Sequence, residues 1–596
     1  MHRWLENALR GAIEGVHVLA GQYVAYDMSC IIATFPDLEE LVWETYRVGG
    51  VLCTSIREKL LDIAIGVFPY PIDTTGTKTK SFYSLADIAR VSLGMTVSKG
   101  EDTWRTRYSE LANVPLGKWP QEAIEYAIRD AELVSLILEN QDERALGLHY
   151  DMPTQFDDVR ADFALRMMSV WGIRVNTARV SELWEDSMSR LHEIAEQLVA
   201  DKVAKRTKPK DEPPPGHMPM PAIQRNMAAI RELIEQTYPG TPPQTPGGKT
   251  STAAEVIEEC SDPVLIDLVE FGKVQKVAST YLTKMFEPLI HARFDAVGGA
   301  SDRTSCRDPN LQNQPNVAGI RECFIPSPGH VFVSADFDSQ EMRTLAQCCL
   351  DICGKSRLAE RYQADRHFDP HLEFAARLAG ISVEQAARLL AEKNEDIKAL
   401  RQQSKVCNFG FPGGMGVDTF VHYAKGWGVE ITPDRAQELK NAWFEQWPEM
   451  YTYFRHASNL VDFEGMSGVM IHPQSRFRRG GCTYMEISNG YFQTLAAHAS
   501  KSAQFEVSRR CYVEPESALY GSRPVVFVHD ELILEVPEFA IHETGQELER
   551  VMIEKMEKWT PAIPSSAEAK AMRYWSKAAE RVVDAEGRLT VWEETS

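Results

Sequence analysis

Short apolar runs that close on an aspartate punctuate this chain. The segment VFVSADF (331–337) has the β-branched and aromatic content of a strand and ends on Asp336-Phe337. The segment 525-VVFVHDELILEV-536 sets two β-rich runs on either side of His529-Asp530-Glu531, the pattern of a hairpin with a polar triplet at its bend. Between them, residues 355–450 return to helical periodicity. Within that stretch, 401-RQQSKVCNFG-410 places Arg401, Lys405 and Phe409 at i, i+4 and i+8. Each step advances about 40° on a helix, so the three side chains share one face.

Upstream, MHRWLENALRGAIEG reads as an amphipathic helix, Val16–Tyr26 as a β-like run, and Glu122–Glu139 as a helix with Pro120 suited to its first turn. Residues 151 to about 290 are mainly helical. Two proline-rich stretches, 209–221 and 238–252, interrupt them and can form only loops or a mobile tip. No internal repeat is evident. The pattern predicts a mixed α/β multidomain chain whose sheet is assembled from segments far apart in sequence.

At 596 residues, length implies several domains, roughly three to five. An apolar fraction of 44% and a charged fraction of 25% are ordinary for a globular protein. No apolar run approaches the ~20 residues of a membrane span, and the N-terminus lacks the layout of an export signal, so a soluble, unexported protein is expected. Eleven scattered cysteines lack paired CxxC spacing; reduced core thiols in a cytosolic compartment are expected, also for the Cys348, Cys349 and Cys353 cluster. A net charge of −21 argues against uniform coating of nucleic acid, yet leaves room for a basic channel inside an acidic exterior. The basic run Lys202–Lys210 fits a solvated loop or a phosphate-contacting one.

Two carboxylates brought together by rigid strands suit divalent metal ions, which prefer hard oxygen ligands and share them with substrate phosphates. Such ions, about 4 Å apart, promote in-line phosphoryl transfer. Arginine and lysine on one helix face can grip a triphosphate, and a phenyl ring on the same face can lie against a base or sugar.

The segments 303-RTSCRDPNLQNQP-315, SADFDSQEMR, RQQSKVCNFG and HDE, in this order, resemble the motifs of family A DNA polymerases over most of residues 240–560. Several details resemble the phage-encoded branch. The resemblance implies a right-hand polymerase with palm, fingers and thumb, using two Mg²⁺ ions (Mn²⁺ as a substitute), primer-template DNA and dNTPs. It implies a monomer without membrane attachment, working in the cytoplasm of a bacterial host if phage-encoded. Carried over by position, Asp336 and Asp530 bind metal, with the Phe337 carbonyl as a further ligand and Glu531 in support. Arg401, Lys405, Phe409 and His371 bind the dNTP, Lys405 also acting in catalysis. Glu341 closes the space of a ribose 2′-hydroxyl. Arg303, Asn313, Asn489, Gln493 and His529 contact primer-template. The implied divisions are an exonuclease-like domain over 1–150, thumb over 151–300 (with 273-KVQKVASTYLTKM-285 along the duplex), palm over 301–350 and 446–596, and fingers over 351–445. A single-subunit RNA polymerase and a non-catalytic replisome scaffold are the rivals; Glu341 speaks against the first and the retained aspartate pair against the second.

Two departures from the family stand out. The segment 20-AGQYVAYD-27 and the pair Tyr126/Asp130 resemble the second and third motifs of a DnaQ-type (RNase H-like) 3′→5′ exonuclease, with Asp27 as the aspartate of the former. The first motif, DxE on a strand, has no counterpart before Asp27, so proofreading hydrolysis should be impaired unless the natural start lies upstream. The family's nucleotide helix also continues to a tyrosine where this chain has Gly413, after Pro412. Proline removes a helix hydrogen bond and disfavours helical geometry at Phe411, so the helix should kink or end early. Base selection should therefore differ from that of typical relatives. Gly413→Tyr is expected to change the misincorporation spectrum; identical selectivity in the variant would reject this account.

Overall fold

The computed structural model describes residues 1–594 apart from 73, 98–103, 210–211, 246, 316–318, 463–464 and 466. Lys210, the end of the basic run, lies outside the described residues.

The amphipathic N-terminus forms a helix over His2–Ile13. The run around Val16–Tyr26 yields only three strand residues, β1 (Leu19–Gly21), because Tyr23 turns into the left-handed region (φ 53°) and helix resumes at Val24. β1 pairs in parallel with β2 (Val51–Cys53). The following helix, α1 (Thr54–Ile65), is buried at every residue from Thr54 to Ala64 although it carries four charges. Buried charges persist when paired. Arg57 bonds Asp142 and Gln155, Glu58 meets Arg144 at 2.6 Å, and Lys59 meets Asp295 at 2.6 Å. Asp142 and Arg144 come from α2 (Gln121–Gly147), where Pro120 is the N-cap residue and not part of the first turn. Gln155 opens α3 (Gln155–Trp171). Gly66 (φ 80°) lies so close to Gly480 and Gly481 that a Cβ would come within 2.6 Å of their backbone. The N-terminal region thus packs directly on the later chain, and Trp43, Tyr46 and Leu60 share one core with Phe163, Leu345 and Trp443.

α4 (Thr177–Ala200) and α5 (Pro263–Thr280) pack around Trp184, Leu191 and Phe271 in a second core. The basic run is the first arm of a hairpin, 204–206 against 223–225, with Lys205 and Arg206 exposed.

The third region is built on a six-stranded sheet. Its central strand is β3 (His330–Phe337). The helices α6 (Gln340–Cys353), α7 (Pro370–Ala379), α8 (Glu395–Gly410) and α9 (Tyr484–Val513) follow. Then come β4 (Arg523–Val528), β5 (Glu531–Pro537), α10 (Ile541–Trp559), β6 (Ala567–Met572), β7 (Val582–Val583) and β8 (Leu589–Trp592). The order across the sheet is β4-β5-β3-β6-β8-β7. Side chains alternate along a strand. Val331, Val333, Ala335 and Phe337 therefore enter a core with Leu548, Val551 and Met552 of α10. Phe332, Ser334 and Asp336 take the opposite face. Register sets Asp336 between Glu531 of β5 and Glu568 of β6.

A buried ionic network joins this region to the earlier chain. Lys501 of α9 reaches Asp158 of α3 at 2.6 Å and Asp302 at 2.8 Å, and His498 bonds Asp302 at 2.8 Å; all four side chains are at most 1% exposed.

Asp62 on α1 is fully buried, accepts from the Tyr83 hydroxyl at 2.8 Å, and is pushed up to about 7 by burial and then by the Glu58 carboxylate. A carboxyl with a folded pKa above its unfolded value of ~3.9 binds an extra proton only in the folded state across that interval. Its stabilising contribution is full below the unfolded pKa and is lost as pH rises through 7. Asp62→Asn keeps an acceptor for Tyr83. In urea titrations from pH 5 to 7.5 the wild type is expected to lose about 1–2 kcal/mol relative to this variant; parallel pH profiles would show Asp62 ionised throughout.

Candidate active site

β4 and β5 form the expected hairpin, and its two-residue turn is His529-Asp530, with Glu531 already in the strand. Two-residue turns call for positive φ, usually from glycine or asparagine; His529 supplies it at φ 58°. The Phe337 N–H donates to the Asp530 carbonyl at 3.4 Å, tying the turn to the end of β3. Asp336 and Asp530 therefore stand side by side at the ends of neighbouring strands, on the sheet face away from α10.

That face floors a cleft of about 1800 Å³. Asp336, Phe337 and Asp530 line it, opposite Arg401, Lys405 and Phe409 from α8, which do share one face. Glu341 and His371 line it too, as do Arg303, Asn489, Gln493 and His529. Asn489 and Gln493, one turn apart, are half-exposed positions on the otherwise largely buried α9. That helix starts at a capping box in which Thr483 and Glu486 satisfy each other's backbone N–H. Asn313 stands apart: it is exposed at the end of a short 3₁₀ turn and does not line the cleft.

The carboxylates oppose one another. Burial, then Asp530 and Glu531, raise Asp336 well above the usual carboxylate range. Asp336 is nonetheless exposed and lines the cleft. Burial, then Glu341 and Glu531, bring Asp530 to about 6. Glu341 is raised by burial, partly offset by its ion pair with Arg303. Lys570 stands 3.9 Å from Glu531. Like charges crowded in this way call for a cation, and oxygen donors suit a hard divalent one. Among the described residues no three His, Cys, Asp or Glu side chains form a ready-made cage. A pair of aspartates with the Phe337 carbonyl fits ions whose shell is completed by substrate phosphates and water.

The cationic side is held by buried polar groups that sequence reasoning did not single out. Asn408 is buried in α8; its amide donates to the Pro370 carbonyl at 3.2 Å and to His371 Nδ1 at 3.0 Å. Its Oδ1 accepts from the indole N–H groups of Trp443 (2.9 Å) and Trp447 (3.3 Å). Since Nδ1 accepts, the neutral ring carries its proton on Nε2. Burial lowers His371 to about 4, so it is neutral at pH 7. Arg401 makes a two-pronged pair with Asp369 (2.9 and 2.8 Å). Lys405 has no ion pair among the described residues and lies 5.9 Å from the Phe409 ring. Arg343, fully buried, binds the Asp338 carbonyl (2.7 Å), Ser566 (2.8 Å) and the Arg366 carbonyl (2.8 Å), locking the turn after Asp336 to the start of β6. Its only signal in sequence was membership of the SADFDSQEMR segment.

α8 ends at Gly410 and gives way to a 3₁₀ turn over Phe411–Gly413, as Pro412 requires. At Gly413 a Cβ would lie 2.5 Å from Asn489 Nδ2, so the asparagine fills the space beside the missing ring.

Asp27 is exposed in the first turn of the Val24–Thr34 helix, while Tyr126 and Asp130 lie half-buried one turn apart on α2. All eleven cysteines are free thiols, and no helix among the described residues is long and apolar enough to cross a membrane.

Comparison with known proteins bears on this cleft. The chain is 24% identical over 479 residues to DNA polymerase I of Lactococcus lactis subsp. lactis, covering 76% of this chain and 48% of that protein. It is 26% identical over 489 residues to the thermostable DNA polymerase I of Thermus aquaticus, covering 78% and 52%. The chain thus spans about half the length of the curated relatives it matches. Its fold is similar to the POL domain of Pol1 from M. smegmatis, solved in complex with DNA primer-template and dNTP. That match has a TM-score of 0.63 and 19% identity, and covers 88% of this chain and 82% of that one. Residues 228–577, more than half of the chain, match the model of DNA polymerase family A, and the chain belongs to that family.

Proposed function

We propose that this chain is a template-directed DNA polymerase that extends a primer 3′-hydroxyl with dNTPs by two-metal phosphoryl transfer. The observation that carries the proposal is the meeting of Asp336 and Asp530 on adjacent strand ends opposite Lys405. Asp336, Asp530 and the Phe337 carbonyl would hold two Mg²⁺ ions, or Mn²⁺. Bound there, such ions supply charge neutralisation for both the attacking and the departing oxygen.

The primer 3′-oxygen forms a bond to the α-phosphorus of the dNTP as the bond to the bridging oxygen breaks; pyrophosphate leaves and the hydroxyl proton is lost to solvent. Lys405, without an ion pair among the described residues, neutralises the triphosphate. Arg401 contributes while sharing its guanidinium with Asp369, and neutral His371 can donate Nε2–H to a phosphate oxygen. Phe409 backs the nucleoside. Glu341, steadied by Arg303, fills the volume a 2′-hydroxyl would need, which selects against ribonucleotides. Arg303, Asn489, Gln493 and His529 face the primer terminus from the minor-groove side, where acceptors are nearly alike for every correct pair. Asn313, outside the cleft, would meet the primer-template farther along. Positioning and charge neutralisation do most of the catalytic work.

The division into exonuclease-like domain (1–150), thumb (151–300), palm (301–350 and 446–596) and fingers (351–445) belongs to the same proposal. So do a phage origin, action as a monomer in the bacterial cytoplasm, and a role in DNA replication. Asp27, Tyr126 and Asp130 would belong to the exonuclease-like domain of that division.

Asp530→Asn is expected to reduce primer extension by roughly a thousandfold, equal to several kcal/mol of transition-state stabilisation, while primer-template binding persists in gel shift. An undiminished rate would overturn the site assignment. Glu341→Ala is expected to raise incorporation of NTPs relative to dNTPs by about 10–100-fold. If the wild type already prefers NTPs, an RNA polymerase is the better reading.

A further inference from the structure

We infer that Trp427 is the surface on which the base of the incoming nucleotide stacks; this deepens the polymerase proposal and rests on it. Along α8 the cations at 401 and 405 precede Phe409, so a nucleotide gripped by its phosphates points its base toward the C-terminal end of the helix. At that end Phe409, which backs the nucleoside, is itself partly covered. Its ring is met by His371 (centroids 5.5 Å, tilted 43°), by the Lys405 ammonium (5.9 Å from the centroid) and, nearly in parallel, by Trp427 (5.9 Å, 12°). No ring stands at Gly413, where Asn489 occupies the space. The open member of the aromatic series is Trp427, 40% exposed and lining the same cleft as Asp336 and Lys405.

The backbone beneath it is fixed. The helix over Val417–Gly426 ends at Trp427, whose N–H donates to the Ala424 carbonyl at 2.9 Å. Gly428 (φ 71°) then turns the chain, and the Val429 N–H returns to the same carbonyl at 3.0 Å. Tyr423, one turn earlier, braces the indole at 6.1 Å and 56°. Gly410 packs closely beneath it: a Cβ there would sit 3.2 Å from Tyr423 Cδ1 and 3.1 Å from Phe420 Cδ2. A rigidly mounted, half-exposed indole in a polar cleft is a stacking platform. Stacking accepts every base, since each has a π-face, which suits an enzyme that must take four nucleotides in turn.

The test uses the full chain, a dideoxy-terminated primer-template with thymine as the next template base, and 2-aminopurine deoxyriboside triphosphate as the probe. Binding to the wild type should quench the probe by stacking. Trp427→Ala should abolish the quench and weaken dNTP binding about tenfold for all four bases, with primer-template affinity kept. Trp427→Phe should restore most of both. Unaltered quenching and dNTP affinity in Trp427→Ala would overturn the inference, as would a loss confined to DNA affinity, which would place the indole against the template. The assay requires no chemistry: probe binding without extension of an ordinary primer by the wild type would sink the polymerase proposal and leave the stacking result standing. Extension with no effect of Trp427→Ala would do the reverse.

Discussion

Mutual repulsion among carboxylates at the tip of one sheet is the constraint around which the molecule is organised. Asp336 has glutamates as cross-strand neighbours on both sides, and Asp530 follows at the adjoining turn. Left alone, such a row would splay apart or take up protons. It stays in place because the strands beneath are locked by cores on both faces: Val331, Val333 and Ala335 against α10, and Phe332 with Ile533 and Met572 against the second core. The opposing helix face of Arg401 and Lys405 sets positive charge across the cleft from this row.

Three non-glycine residues in the left-handed region flank this row. His529 (φ 58°) precedes Asp530, Ser339 (φ 51°) lies between Asp336 and Glu341, and Asp302 (φ 62°) precedes Arg303. Each such residue costs of order 1 kcal/mol or more and persists only where its surroundings over-determine it. At Asp302 the surroundings are explicit, since the buried Lys501 and His498 hold its carboxylate and so aim the next side chain at Glu341. Arg343 does comparable work for the turn containing Ser339, and Asn408 does it for His371. Buried polar groups with several partners act here as brackets for the residues that line the cleft.

The N-terminal region shares its core with the helices that follow the central strand, and α1 buries four charged residues, with ion pairs to α2 and Asp295 and a hydrogen bond to Gln155 of α3. A segment joined in this way cannot move as an independent body without breaking buried ion pairs, each costly to leave half-made. Its contribution to the cleft is mechanical: it braces α3, which in turn supplies Asp158 to the network under Arg303.

Local pattern was enough to read the strand closing on Asp336, the hairpin bend at Asp530 and the common face of Arg401, Lys405 and Phe409. Strand alternation, turn chemistry and the helical repeat are short-range properties written within ten residues. Motif order likewise pointed to the cleft residues Arg303, Glu341, Asn489 and Gln493. What the chain alone did not disclose depends on contacts between separate segments: Asn408 fixing the tautomer of His371, Arg343 bridging to Ser566, Lys501 shared by Asp158 and Asp302, and Trp427 laid over Phe409. Nor did it disclose that Asn313 lies outside the cleft, or that the β-like run near Tyr23 breaks into helix. A polar residue's partner, and the face an aromatic ring leaves open, are set by which distant segments pack together; only the tertiary structure could decide them.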